Sequence, residues 1–105
     1  MIETTQETRS GWCLVAVRGR ADAEAADQLE TDLTAAVGQH PKVAVDLAGL
    51  TYISSAGLRA LLQAARAAQS HNAEFAVCRP GDSVKKVFDM SGMHHILRIE
   101  GALPC

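Results

Sequence analysis

The chain has 105 residues, 48% of them hydrophobic, which suffices for one domain with its own core and leaves no room for a second. Its 10 basic and 12 acidic residues give a formal charge of −2 and are spread along the sequence, which leaves no electrostatic footprint for nucleic acid or an anionic membrane. No apolar run approaches the ~20 residues that span a bilayer, the polar start IETTQETRS is no secretory signal, and the separated Cys13, Cys78 and Cys105 form neither a disulfide framework nor a metal knuckle.

In chain order, Ile2 to Glu7 reads as an edge strand, and WCLVAVRGR from Trp12 as a buried strand closed by a turn at Gly19. In the following segment Ala26, Leu29, Leu33, Ala36 and Val37 recur at helical spacing. Asp22 is placed to cap that helix, Glu24 to sit in its first turn, and Gly38 and Pro41 to stop it. KVAVDL is a second buried strand, with Val43, Val45 and Leu47 on one face and Ala44 on the other. After a loop AGLTYI, the stretch SSAGLRALLQAARAAQS predicts a second helix on Leu58, Leu61, Leu62 and Ala65, with Arg59, Gln63 and Arg66 outward and Asn72 as terminator. A strand Glu74 to Cys78 follows, then a short helix capped by Asp82 or Ser83 and ended by Gly92, then a strand in HHILRIE. This alternation predicts an α/β fold, a mostly parallel mixed sheet of four to five strands with right-handed crossover helices. No repeat, linker or low-complexity segment divides it, so residues 1–105 read as a single domain.

The usual reaction chemistries have no anchor. Neither GxGxxG nor GxxxxGK[ST] occurs, so no phosphate cradle is encoded. His94 and His95 on a strand would point to opposite faces, with no cysteine or carboxylate pair at ligand spacing, so no metal and no cofactor is expected. ISSAG lacks the GxSxG elbow of a nucleophilic serine, so Ser55, Asp46 and a histidine do not make a credible triad and no catalytic residue is assigned. Cys13 lies inside an apolar strand as an inert packing residue, and a terminal thiol at Cys105 is no evidence of redox function.

The informative stretch is VAVDLAGLTYISSAGLRALL. A buried strand ends near Asp46 and Leu47, and after a short loop Ser54 and Ser55 fall at a helix start with Gly57 in the first turn. Helix-start amides attract anions and accept a serine cap, and strand ends in α/β folds are where function usually gathers. Spacing alone favours a serine that only caps and a glycine that only permits close packing, since capping serines begin a great many helices.

The segment VAVDLAGLTYISSAGLRALLQAARAA resembles the central motif of STAS domains, and specifically of anti-sigma factor antagonists: an apolar strand ending in Asp-Leu, then an apolar residue, Asp or Ser, Ser, a small residue, Gly and Leu. GRAD at Gly19 to Asp22 and VKKVFDMSGM at Val84 to Met93 are similar to looser family features. The resemblance implies a non-enzymatic cytoplasmic switch. Its unmodified form would bind an anti-sigma factor that is also a serine kinase and so release a sigma factor; phosphorylation would end binding, and a serine phosphatase would reset it.

Carried over by position, the phosphorylated residue is Ser55, two before Gly57, with Ser54 where many members have aspartate and Ala56 where some have a hydroxyl. Ser54, Ser55, Ala56, Gly57, Leu58 and Arg59 would form the partner-binding surface, with Asp22 either an ionic contact or only a helix cap. Asp46 would orient the loop. The segment GALPC stops where many relatives continue into a C-terminal helix. The rival reading within the same resemblance is a STAS subunit of an ABC-type lipid transport system, which would bind the ATPase subunit and make Ser55 dispensable. Which process is controlled and the oligomeric state are left open by the sequence.

Overall fold

Strands apolar on both faces build the centre of the protein in the computed structural model, which describes residues 1–104. In chain order the elements are β1 (Ile2–Arg9), β2 (Trp12–Ala21), α1 (Ala26–Gln39), β3 (Lys42–Ile53), α2 (Ser55–Ser70), β4 (Glu74–Cys78), α3 (Asp82–Ser91), a 3₁₀ turn (Met93–His95) and β5 (Ile99–Glu100). They form one five-stranded mixed sheet in the order β1-β2-β3-β4-β5. β1 pairs antiparallel to β2 across a two-residue turn, Ser10 and Gly11, both at positive φ as a tight hairpin with the strands' own twist requires. The other pairings are parallel. The expected α/β architecture and element order are therefore observed.

The two-residue period of the strands sorts the core. Cys13, Val15 and Val17 of β2, Val43, Val45 and Leu47 of β3 and Val77 of β4 face one side, where all three helices cover them. α1 contributes Leu29, Leu33 and Val37, α2 contributes Leu58 and Leu61, and α3 contributes Val84 and Phe88. Burying each such side chain stabilises the fold by about 1.5–3 kcal/mol before the cost of ordering the chain. The opposite face is thinner: Trp12, Leu14, Ala44, Ala76 and Cys78, with Leu103 packed on them. The cationic groups of Lys42 and Arg98 stand 5.7 and 5.6 Å from the centre of the Trp12 ring. Their stems shield an indole that no helix covers.

Several boundaries differ from expectation. β2 does not end at Gly19 but runs on to Ala21, and β3 absorbs the whole of the expected loop AGLTYI, so the two strands pair as far as Ala21 and Ile53. Their register slips between Ala16 and Arg18 and again between Gly19 and Arg20. Gly19 takes φ +97°, and a Cβ there would stand 2.6 Å from the Met1 carbonyl oxygen, so only glycine suits this irregularity. α1 passes through Gly38 to Gln39 and ends on His40. α3 begins after Gly81, and neither Asp82 nor Ser83 caps it, whereas Gly92 closes it at φ +77° as expected. HHILRIE is mostly not a strand: His94 and His95 lie in the 3₁₀ turn with ring centres 3.9 Å apart rather than on opposite faces, and only Ile99–Glu100 pairs. Cys13 and Cys78 are both buried, and burial pushes the Cys13 thiol up; Cys105 lies outside the described residues.

Candidate functional site

The parallel pairing of β2 with β3 brings Ala21 and Ile53 side by side, and α2 starts immediately beyond. Two bonds lock the junction. The Ser54 amide donates to the Ala21 carbonyl at 2.9 Å, and the Ser54 hydroxyl donates to the same oxygen at 2.9 Å. The Ser54 Oγ also accepts from the Gly57 amide at 3.1 Å, the bond of an N-cap with extended backbone. Ser54 is half-buried, and its hydroxyl is thus committed on both its donor and its acceptor side.

Gly57 explains why the helix can sit so close. A Cβ there would lie 2.8 Å from the Ala21 carbonyl oxygen and 2.8 Å from Ile53 Cγ1. Leu58 turns into the core at 7% exposure. Gly57 and Leu58, two of the residues expected on the partner-binding surface, therefore serve packing.

Ser55 is the first helical residue, exposed, and among the described residues its hydroxyl has no hydrogen-bond partner. α2 has no acidic residue in its first turn, so nothing on the helix itself offsets the partial positive charge of its free amides. Arg59, one turn further and exposed, joins Ala56, Gln63, Ala23, Ala26, Asp27 and Glu30 around an open groove of about 310 Å³ between α1 and α2. Among the described residues Arg59 makes no ion pair.

Asp22 does not cap α1. The helix begins four residues later, at Ala26, with Ala25 as its N-cap and no side-chain cap bond. Asp22 Oδ1 instead accepts from the Ala25 amide at 3.0 Å, closing the turn that leads into the helix. That amide holds the Asp22 carboxyl below its ordinary value.

Asp46 sits lower on β3, largely enclosed. Its Oδ1 accepts from the Ala48 amide at 3.1 Å and from Arg79 Nε at 3.0 Å, and Arg79 also bonds Oδ2. Burial pushes the Asp46 carboxyl up, but the Arg79 and Ala48 bonds outweigh it and the net shift is down. The fork ties β3 to the end of β4, where Arg79 holds φ +53°. The loop that Asp46 is expected to orient is part of β3, and Asp46 instead ties that strand to the end of β4 through a cationic partner that sequence reading missed. Also missed were Tyr52, 40% exposed at the end of β3, and Arg20, whose guanidinium lies 4.3 Å from that ring's centre. Their only sequence signal was position, just before Asp22 and Ser54.

Chemically the site can present a hydroxyl and accept a modifying group. Neither serine hydroxyl has a histidine or carboxylate bonded to it among the described residues, so the activation a nucleophilic serine requires has no visible source. No group of three or more His, Cys, Asp or Glu among these residues is placed to hold a metal ion, and no helix is long and apolar enough to cross a membrane.

Residues 2–103 match the STAS domain family. A relative from Bordetella bronchiseptica, BtrV, named as an anti-sigma factor antagonist, is 32% identical over 99 residues, covering 93% of this chain and 85% of the relative. Among solved structures, an anti-sigma factor antagonist from Mycobacterium paratuberculosis superposes with a TM-score of 0.87 at 24% identity, over 98% of this chain and 88% of that one. The Bacillus cell fate determinant SpoIIAA in its phosphorylated form superposes with a TM-score of 0.69 at 18% identity, over 92% and 90% of the two chains.

Proposed function

The chain belongs to the STAS domain family, and from that premise we propose that it is an anti-sigma factor antagonist switched by phosphorylation of Ser55. The unmodified protein binds an anti-sigma factor that is also a serine kinase and so frees a sigma factor. The kinase moves the γ-phosphoryl group of ATP onto Ser55 Oγ, with ADP leaving and the hydroxyl proton released. A serine phosphatase hydrolyses the ester and restores binding. The protein acts in the cytoplasm by association, as one domain, and performs no turnover of its own.

One observation carries this reading: of two adjacent serines, Ser54 spends its hydroxyl holding α2 to β2, while Ser55 stands exposed and, among the described residues, unbonded. Phosphorylating Ser54 would break the junction; phosphorylating Ser55 leaves it intact.

The magnitudes favour a switch by charge. A phosphate adds about −1.5 to −2 charges at neutral pH. The helix start favours that charge in the free protein by about 0.3–1 kcal/mol. In a dry interface an unpaired charge costs several kcal/mol, so the second effect wins. A net penalty of about 4 kcal/mol weakens binding roughly a thousandfold, without refolding.

The test is incubation with ATP and each serine kinase encoded beside the protein's gene, followed by peptide mass spectrometry. One phosphate is expected, on the peptide carrying Ser55. Ser55→Ala abolishes it and keeps partner binding, Ser55→Asp loses binding, and Ser54→Ala is still modified. Equal partner affinity of the wild type and Ser55→Asp would refute the switch.

A further inference from the structure

We infer that Arg59 is the built-in counter-ion of the modified Ser55: once a phosphate is attached, the guanidinium closes onto it and leaves the face offered to a partner. This rests on the reading of Ser55 as the modified residue and adds a second arm to the switch, since one event both introduces an anion and withdraws a cation.

Residues four apart on a helix are neighbours on one face, and both Ser55 and Arg59 are exposed on α2. Arg59 is available, because no carboxylate among the described residues is within ion-pair distance of it, although Asp27 and Glu30 of α1 line the same groove. Arg20 of β2, paired in the sheet with Tyr52 just before the junction, has its guanidinium over the Tyr52 ring. Of the other charged groups around the junction, Asp22 and Glu24 before α1 are acidic and repel a phosphate, and the Met1 ammonium is paired with Asp22 at 3.5 Å. A guanidinium also suits a phosphate better than an ammonium, because its fork donates two parallel hydrogen bonds. The amides of the helix start are common to every variant below, so any difference between them belongs to the side chain at position 59.

The experiment uses the full chain with phosphoserine installed at position 55 by genetic encoding, so that no kinase is needed. The second ionisation of the phosphate is followed by ³¹P NMR in the wild type, Arg59→Gln and Arg59→Lys. Pairing of the ordinary i, i+4 strength predicts an ionisation about 0.3 pH unit lower in the wild type than in Arg59→Gln. Arg59→Lys falls between the two, and the Arg59 Nε–H resonance shifts and slows its exchange when position 55 carries the phosphate. Coincident ³¹P titrations of wild type and Arg59→Gln, with an unmoved Arg59 resonance, would overturn the inference. If the pairing is seen but no kinase modifies Ser55, the switch reading alone falls.

Discussion

Replacing the two serines one at a time separates, by stability alone, the hydroxyl that holds the junction from the one that does not. Ser54→Ala removes the acceptor of the Gly57 amide at 3.1 Å, a cap loss of about 1 kcal/mol. It also removes the 2.9 Å bond to the Ala21 carbonyl, but that oxygen keeps the Ser54 amide at 2.9 Å, so the second loss adds only about 0.5–1 kcal/mol. Ser55→Ala removes no bond and exchanges serine for the best helix former, a change of no more than about 0.5 kcal/mol in either direction. The expected gap between the variants is therefore about 1–2.5 kcal/mol, or roughly 4 °C or more in Tm for a domain of this size. Urea denaturation of both variants and the double variant measures it. The midpoint should fall for Ser54→Ala with the slope unchanged, and the double variant should track Ser54→Ala within about 0.5 kcal/mol. A Ser55→Ala variant as unstable as Ser54→Ala would show that Ser55 is structural, and the case for it as a free acceptor would be lost.

Two further outcomes follow from the same junction and its support. Gly57→Ala gains about 1 kcal/mol of helix propensity, yet its methyl would meet the backbone oxygen of Ala21 and Ile53 Cγ1, each at 2.8 Å; overpacking of that kind costs about 1–3 kcal/mol, so Tm falls, and a rise would mean that the helix start can back away freely. The folded Asp46 carboxyl ionises below its unfolded value, so its contribution is complete above the unfolded value near ~3.9 and disappears as the pH falls through the folded value. The stability gap between wild type and Asp46→Asn, measured in urea at a series of pH values, should be full at neutral pH and close on acidification; a gap constant with pH would refute the ion-pair account.

The strands and helices were legible where one periodicity ran unbroken. Val43, Val45 and Leu47 alternate cleanly, and the first half of β3 was read correctly from them. Its second half was read as a loop because the buried residues there, Leu50 and Ile53, are three apart, a spacing produced by the slipped register against β2. Asp22 has the composition of a helix cap, but it lies four residues ahead of the helix and its side chain closes the turn that leads in, and both arrangements are served by the same Asp chemistry. The segment at His94 and His95 was misread because a 3₁₀ turn and a strand can carry the same short apolar run. At the site, the motif drew attention to the two serines, whereas the difference in their bonding depends on the Ala21 carbonyl, thirty-three residues away in sequence and brought in only by parallel pairing.

That difference has an evolutionary corollary. Because the bonds that hold the junction fall on the first alcohol of the pair, the second can be exchanged without loss of the scaffold: under the proposed switch an acidic residue there would yield a permanently silenced copy and an alanine a permanently engaged one. Either could arise by a single codon change, without compensating adjustments elsewhere in the scaffold.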